Sequence, residues 1–125
     1  MAYAVADVED IPYTWGTFKF VRQRLGATAF GFAQIDFPPG KVGSEHDETE
    51  SGHQEAYIVV SGRAAFVIGD QRFEAGPGSV VSAPNPADVR SYSALEPSTR
   101  IVCVGAAPGE PHPYGEWISE DATEA

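Results

Sequence analysis

The sequence predicts an all-β single domain, a closed barrel or double-sheet jelly roll with a short helix or none. Three observations predict it. The 125 residues include 13 glycines and 10 prolines, which implies many tight turns. Between those turns lie about eight short runs rich in β-branched and aromatic residues. No long segment repeats its apolar residues at the 3.6-residue period of a helix.

Each run has its own stop signal. Residues 17–25 (TFKFVRQRL) partly alternate and end at Gly26; residues 27–37 (ATAFGFAQIDF) end at Pro38-Pro39-Gly40. Residues 55–61 turn at Ser61-Gly62, and 63–68 turn at Gly69-Asp70 into 71–74. Residues 79–82 stop before Pro84, and 89–94 and 99–105 complete the set. Short glycine-bearing connections are those of antiparallel hairpins. A single helical turn fits near Ala6–Ile11. The reading divides the chain into an N-terminal flank (1–16), the barrel (17–105) and a C-terminal strap with an acidic tail (106–125). In that tail Tyr114 and Trp117 are the expected anchors, and His112 is expected in solvent.

Composition excludes several classes. A net charge of −10 argues against a nucleic-acid or anionic-membrane partner, because phosphate binding needs a basic face. All eight basic residues lie between Lys19 and Arg100, so both ends are acidic flanks. One cysteine, Cys103, forbids an internal disulfide. No secretory leader and no apolar run of spanning length is legible, which makes the cytoplasm the expected compartment. No nucleophile elbow, P-loop, CxxC or HExxH occurs.

The stretch that carries chemistry runs from Gly40 to Gly62, GKVGSEHDETESGHQEAYIVVSG. It reads Gly-x5-His46, then Glu48 two positions on, then Glu55-x6-Gly62. A second stretch, Gly78-x5-Pro84, follows after a hairpin. In these motifs the chain resembles the cupin family of small β-barrels. The family's first motif is Gly-x5-His-x-His-x3,4-Glu-x6-Gly and its second is Gly-x5-Pro-x-His-x3-Asn. The elements Leu25–Gly31, His46-Asp47-Glu48, Val104-Gly105 to Pro108-Gly109 and Pro113-Tyr114 are similar to those of small single-domain bacterial cupins. The resemblance covers most of the chain and implies a cupin-type double-stranded jelly roll.

Cupins that hold a metal use two histidines and the glutamate of the first motif and a histidine of the second. This chain keeps part of that set. His46 matches the first histidine, Glu48 stands at the second, and Glu55 matches the motif glutamate by its spacing to Gly62. A six-residue gap between Glu48 and Glu55 marks a loop insertion. The second-motif histidine falls on Pro86 and its asparagine on Arg90. His46, Glu48 and Glu55 still resemble the two-His-one-carboxylate triad with one ligand exchanged, a set suited to manganese, iron or zinc. The alternative is metal-free: two carboxylates in an apolar barrel repel and need a counter-charge, which Arg90 supplies if its strand phase points inward.

His53 shares the parity of Glu55, so it faces inward if the strand starts early and outward if it does not. Tyr57 shares that parity too and is expected in the core, its hydroxyl needing a partner. His53, Tyr57 and Arg90 are the expected pocket residues beside the three candidate ligands. Phe18 and Phe20 are expected at the barrel mouth or an interface. Arg22 and Arg24, on the same strand face, are either an exposed edge or reach into the barrel mouth or across a dimer interface. Phe30 and Phe32 are expected in the core, Phe66 in the core or at a dimer contact, and Cys103 as an inert buried thiol.

The function these residues imply is a cupin-domain protein with a small-molecule pocket inside the barrel, with or without a divalent metal. Two alternatives stand beside it: a metal-dependent isomerase, decarboxylase or dioxygenase acting on a small oxygenated metabolite, and a non-catalytic sensor or scaffold. A metal-free cyclase or epimerase using His46 is a weaker fourth. The expected partners are a small-molecule ligand and a second copy of the chain in a homodimer, with no nucleic acid and no membrane.

Overall fold

A computed structural model describes residues 2–38, 41 and 43–109 of the chain. Its strands are β1 (Phe18–Phe20), β2 (Gly31–Phe37), β3 (Gln54–Ser61), β4 (Ala64–Ile68), β5 (Gln71–Ala75), β6 (Val80–Ala83), β7 (Arg90–Ala94) and β8 (Thr99–Ala106). They form a five-stranded sheet, β1-β2-β8-β3-β6, facing a three-stranded sheet, β5-β4-β7. Every pairing is antiparallel. This is the all-β jelly-roll barrel that the turn-rich sequence predicts. The expected strap and its Tyr114, Trp117 and His112 lie outside the described residues. Among the described residues no helix is long and apolar enough to cross a membrane.

Period-2 alternation builds the core. Along β8, Thr99, Ile101, Cys103 and Gly105 point inward and their neighbours do not. Glu55, Tyr57 and Val59 do the same on β3, and Ala33, Ile35 and Phe37 on β2. Phe66 is fully buried against Tyr57 and Tyr92, with ring centroids 5.7 and 5.9 Å away. Cys103 is buried, as expected.

Three expectations are corrected. The strand read over 17–25 stops at Phe20; Arg22–Leu25 is one helical turn, α1. Arg, Gln and Leu are good helix formers, and Gly26 closes the turn at φ +69°, its N–H bonding to the carbonyls of Arg22 and Gln23. Arg22 and Arg24 therefore do not share a strand face. Arg22 is buried and donates to the Ala27 carbonyl at 2.8 Å, whereas Arg24 is exposed and reaches the Asp10 carbonyl. Phe30 and Phe32 are not core: β2 starts only at Gly31, its inward parity belongs to Ala33, Ile35 and Phe37, and Phe30 is exposed. The helical turn expected near Ala6–Ile11 is a 3-10 turn at Val8–Asp10, capped by the Asp7 side chain accepting from the Glu9 N–H.

Asp36 ties the outer face together. It accepts from the Tyr13 hydroxyl at 2.7 Å, from Gln34 at 3.1 Å and from Arg100 Nε at 2.8 Å. Burial pushes this carboxyl up, but the bonds from Arg100, Tyr13 and Gln34 outweigh it and leave it below its ordinary value. The hydrogen bond to Asp36, with partial burial and the Asp36 charge beside it, pushes the Tyr13 hydroxyl up to about 12 against the pull of Arg100. A depressed carboxylate stabilises the fold above its unfolded value, about 3.9, and that contribution is lost as the pH falls through the folded value. Asp36→Asn is expected to flatten the loss of stability below about pH 4. Urea midpoints at pH 3 and pH 6 check it; an unchanged difference between them would remove this role.

Candidate functional site

The site is assembled by a loop that behaves as an extra strand. Residues 43–48 run antiparallel to 86–92. The Gly43 N–H bonds to the Tyr92 carbonyl at 2.9 Å, His46 and Arg90 exchange backbone bonds at 3.0 and 2.8 Å, and the Glu48 N–H bonds to the Pro86 carbonyl at 2.8 Å. Pro86 thus contributes no side-chain ligand, yet its carbonyl seats the backbone of a candidate one. After Glu48 the chain folds back on itself, with the Gly52 N–H on the Glu48 carbonyl at 2.7 Å. The six-residue gap between the half-motifs is this turn. Its Ser51 hydroxyl donates to Glu48 Oε1 at 2.7 Å and accepts from the His53 N–H at 3.2 Å, which lets both Glu48 and His53 be buried.

His46, Glu48 and Glu55 each bring one ligand atom to within 4.8 Å of the others. Glu48 and Glu55 are buried, and the His46 side chain is about a third exposed. His46 Nδ1 lies 3.0 Å from Glu48 Oε2, and His53 Nδ1 lies 3.8 Å from Glu48 Oε1. Glu55 uses one oxygen for structure: Oε1 accepts from the Tyr57 hydroxyl at 2.5 Å and from Arg90 at 3.1 Å. Its Oε2 meets the Cys103 thiol at 3.7 Å. Arg90 is fully buried, donates to the Asn85 carbonyl at 2.8 Å, and its Nε has no hydrogen-bond acceptor among the described residues. Burial pushes Tyr57 far above the ordinary tyrosine value, so its hydroxyl keeps the proton it donates to Glu55. Burial also pushes His53 down, against the pull of Glu48 and Glu55, which favours the neutral ring.

A cavity of about 480 Å³ opens beside this cluster. Its walls are Trp15, Phe18, Phe20, Phe37 and Tyr92, with Thr17, Lys41, Gly43, Ser44, His46, Glu55 and Cys103. The volume lies within the range of pockets that hold small molecules, roughly 300–1,000 Å³. Of the candidate ligands, His46 and Glu55 line it. His53, Tyr57 and Arg90, expected as pocket residues, are buried but are not among its walls; they act on it through Glu48 and Glu55. Phe18 and Phe20 do stand on the cavity wall. Trp15, Phe37 and Tyr92 are walls that sequence reasoning missed. Phe37 and Tyr92 come from opposite sheets, and no local pattern joins them, although their rings stack at 5.7 Å.

The donor chemistry suits a divalent ion. One imidazole and two carboxylates are ligands for manganese, iron or zinc. Arg90 is ion-paired with Glu55, while Glu48 lies against His46 and His53.

No protein-family model and no curated protein matches the chain. Solved structures do resemble it. A cupin protein from Bacteroides fragilis superposes over 100% of this chain and 96% of its own, with a TM-score of 0.73 at 18% identity. KdgF from a Halomonas species covers 88% of this chain and 96% of its own, with a TM-score of 0.68 at 17% identity. The Cupin_2 domain of an XRE family transcriptional regulator from Enterobacter cloacae covers 73% and 95%, with a TM-score of 0.62 at 20% identity. At such identities the likeness is one of fold. The described residues have the cupin fold, with the motif residues His46 and Glu55 brought to one site.

Proposed function

We propose that this protein is a small-molecule-binding cupin barrel whose pocket is completed by a divalent cation held on His46, Glu48 and Glu55. The observation that carries the reading is the convergence of those three ligand atoms within 4.8 Å, next to a cavity of about 480 Å³. A bound cation would supply Lewis acidity to an oxygenated ligand, chemistry that serves isomerases, decarboxylases and dioxygenases alike. The chain's own residues do the positioning. Tyr57 and Arg90 hold one oxygen of Glu55, Ser51 holds one oxygen of Glu48, and the aromatic walls keep water from the ligand's apolar part. Locked side chains of this kind cost little to organise on binding.

Elemental analysis of tag-free protein purified without chelator tests the reading. Near-stoichiometric manganese, iron or zinc is expected. His46→Ala and Glu48→Gln are each expected to weaken the metal at least tenfold in calorimetric titration. Sub-stoichiometric metal, with no heat on adding Mn²⁺ or Zn²⁺, removes it.

One observation favours a second reading, the non-catalytic sensor or scaffold. Arg90 already pairs with Glu55 and supplies one positive charge inside the barrel without any ion. A metal-free protein that retains a well-folded barrel would leave this reading in place.

A further inference from the structure

We infer that the pocket takes a planar aromatic compound with a hydroxyl or carboxyl substituent, and that Trp15 is the face on which its ring stacks; this deepens the proposed function and rests on it. The first observation is the wall itself. Two groups of rings line one cavity. Trp15 meets Phe18 and Phe20 edge-to-face, both at 5.5 Å, and Phe37 stacks on Tyr92. Aromatic rings prefer such offset and edge contacts with another ring. A polyhydroxylated ligand instead needs many hydrogen-bonding groups, and Glu55 has one oxygen already taken by Tyr57 and Arg90. The lining hydroxyls of Thr17 and Ser44, with His46, suffice for one or two oxygen substituents.

The second observation is independent of the wall. Trp15 adopts φ +57° and Gly16 follows at +78°. Thr14 and Phe18 pair across this tight hairpin, with the Thr14 N–H on the Phe18 carbonyl and the Phe18 N–H on the Thr14 carbonyl. Two successive residues at positive φ suit Asn-Gly or Gly-Gly, and a bulky side chain at the first of them is a conformational outlier. The large ring is also 58% exposed, so burial in the core does not account for it. A strained backbone at the wall of a cavity is where ligand contacts are found. Here the strain presents an indole to the pocket.

The test is a titration of the full chain, carrying Trp117→Phe so that Trp15 is the sole indole reporter. The probes are 4-hydroxybenzoate and trans-cinnamate, with cyclohexanecarboxylate and gluconate for comparison. Saturable quenching by an aromatic probe is expected, with affinity at least tenfold above that of either comparison acid. In calorimetry, Trp15→Asn is expected to weaken the aromatic probe at least tenfold while the thermal midpoint moves by no more than a few degrees, because asparagine relieves the positive φ. A tryptophan kept only for packing would instead lower the midpoint and leave affinity alone. Trp15→Leu keeps apolar bulk without a π face and is expected to lose affinity equally, which covers the case of an asparagine variant that does not fold. Gluconate binding as tightly as the aromatic probes overturns the inference, as does an unweakened Trp15→Leu variant. Calorimetry with Mn²⁺ separates the two proposals: cation binding without aromatic binding overturns this inference alone, and loss of both overturns the proposed function with it.

Discussion

Arg90→Met is expected to destabilise the barrel by about 3–5 kcal/mol, the usual cost of removing one partner of a buried ion pair. Arg90 is 1% exposed, and its guanidinium sits 3.1 Å from Glu55 Oε1. Without it, Glu55 stays buried with its charge, and the hydrogen-bond donors left to it among the described residues are Tyr57 and Cys103. Most of the cost is therefore an unpaired charge and not a lost contact. A double variant separates the two. Arg90→Met with Glu55→Gln removes the charge along with its partner, and is expected to be at least about 1 kcal/mol more stable than Arg90→Met alone. Urea denaturation with an unchanged m-value measures both. The proposed cation adds a further expectation. Saturating Mn²⁺ should raise the stability of Arg90→Met more than that of the native chain, because the ion then carries the whole counter-charge. A single-variant cost below about 1 kcal/mol would mean that the guanidinium does not compensate Glu55.

Gly62→Ala is expected to cost about 3–4 kcal/mol, more than any ordinary glycine-to-alanine change. Gly62 closes the β3–β4 turn at φ +75°, and an added Cβ would lie 2.2 Å from Thr99 Oγ1 and 2.5 Å from Thr99 Cα. Thr99 cannot give way easily. Its hydroxyl donates to the Glu96 carbonyl at 2.7 Å and accepts from the Arg63 N–H at 3.2 Å, and its backbone pairs with Phe37. Gly78 is the control. It sits at φ +87°, and a Cβ added there would meet nothing within 4 Å. Gly78→Ala should cost only the backbone penalty, about 1 kcal/mol. The difference in thermal midpoint between the two variants isolates the clash, and equal midpoints would show that β8 yields to it.

The site is legible in the sequence in part, for identifiable reasons. Glu55 and Tyr57 are placed by strict period-2 parity, which any correctly read strand preserves. His46 and Glu48 come together because they are two residues apart on an extended segment. Parity alone does not place His53, since the answer depends on where β3 begins and on how the Glu48–Gly52 turn folds back. The α1 correction has a different cause. Phe18, Phe20, Arg22 and Arg24 alternate, but Arg22–Leu25 also has strong helix propensity and a glycine in the C-terminal capping position, and these local signals outweigh the alternation. Phe30 and Phe32 share the parity of Gln34 and Asp36, opposite to the inward Ala33, Ile35 and Phe37, so it is their aromatic character and not their parity that suggests the core.

From the chain alone came the all-β class, the short-turn connectivity, the candidate ligands His46, Glu48 and Glu55, and the suggestion that Arg90 supplies their counter-charge. These are local or near-local properties, set by residue type, spacing and parity. Only the tertiary structure decided that Arg90 pairs with Glu55, that Pro86 anchors Glu48 through its carbonyl, and that Trp15, Phe37 and Tyr92 share one cavity. Each of those depends on closing the two sheets against each other. That closure brings together residues distant in the chain, and no periodicity within a single strand encodes which of them will meet.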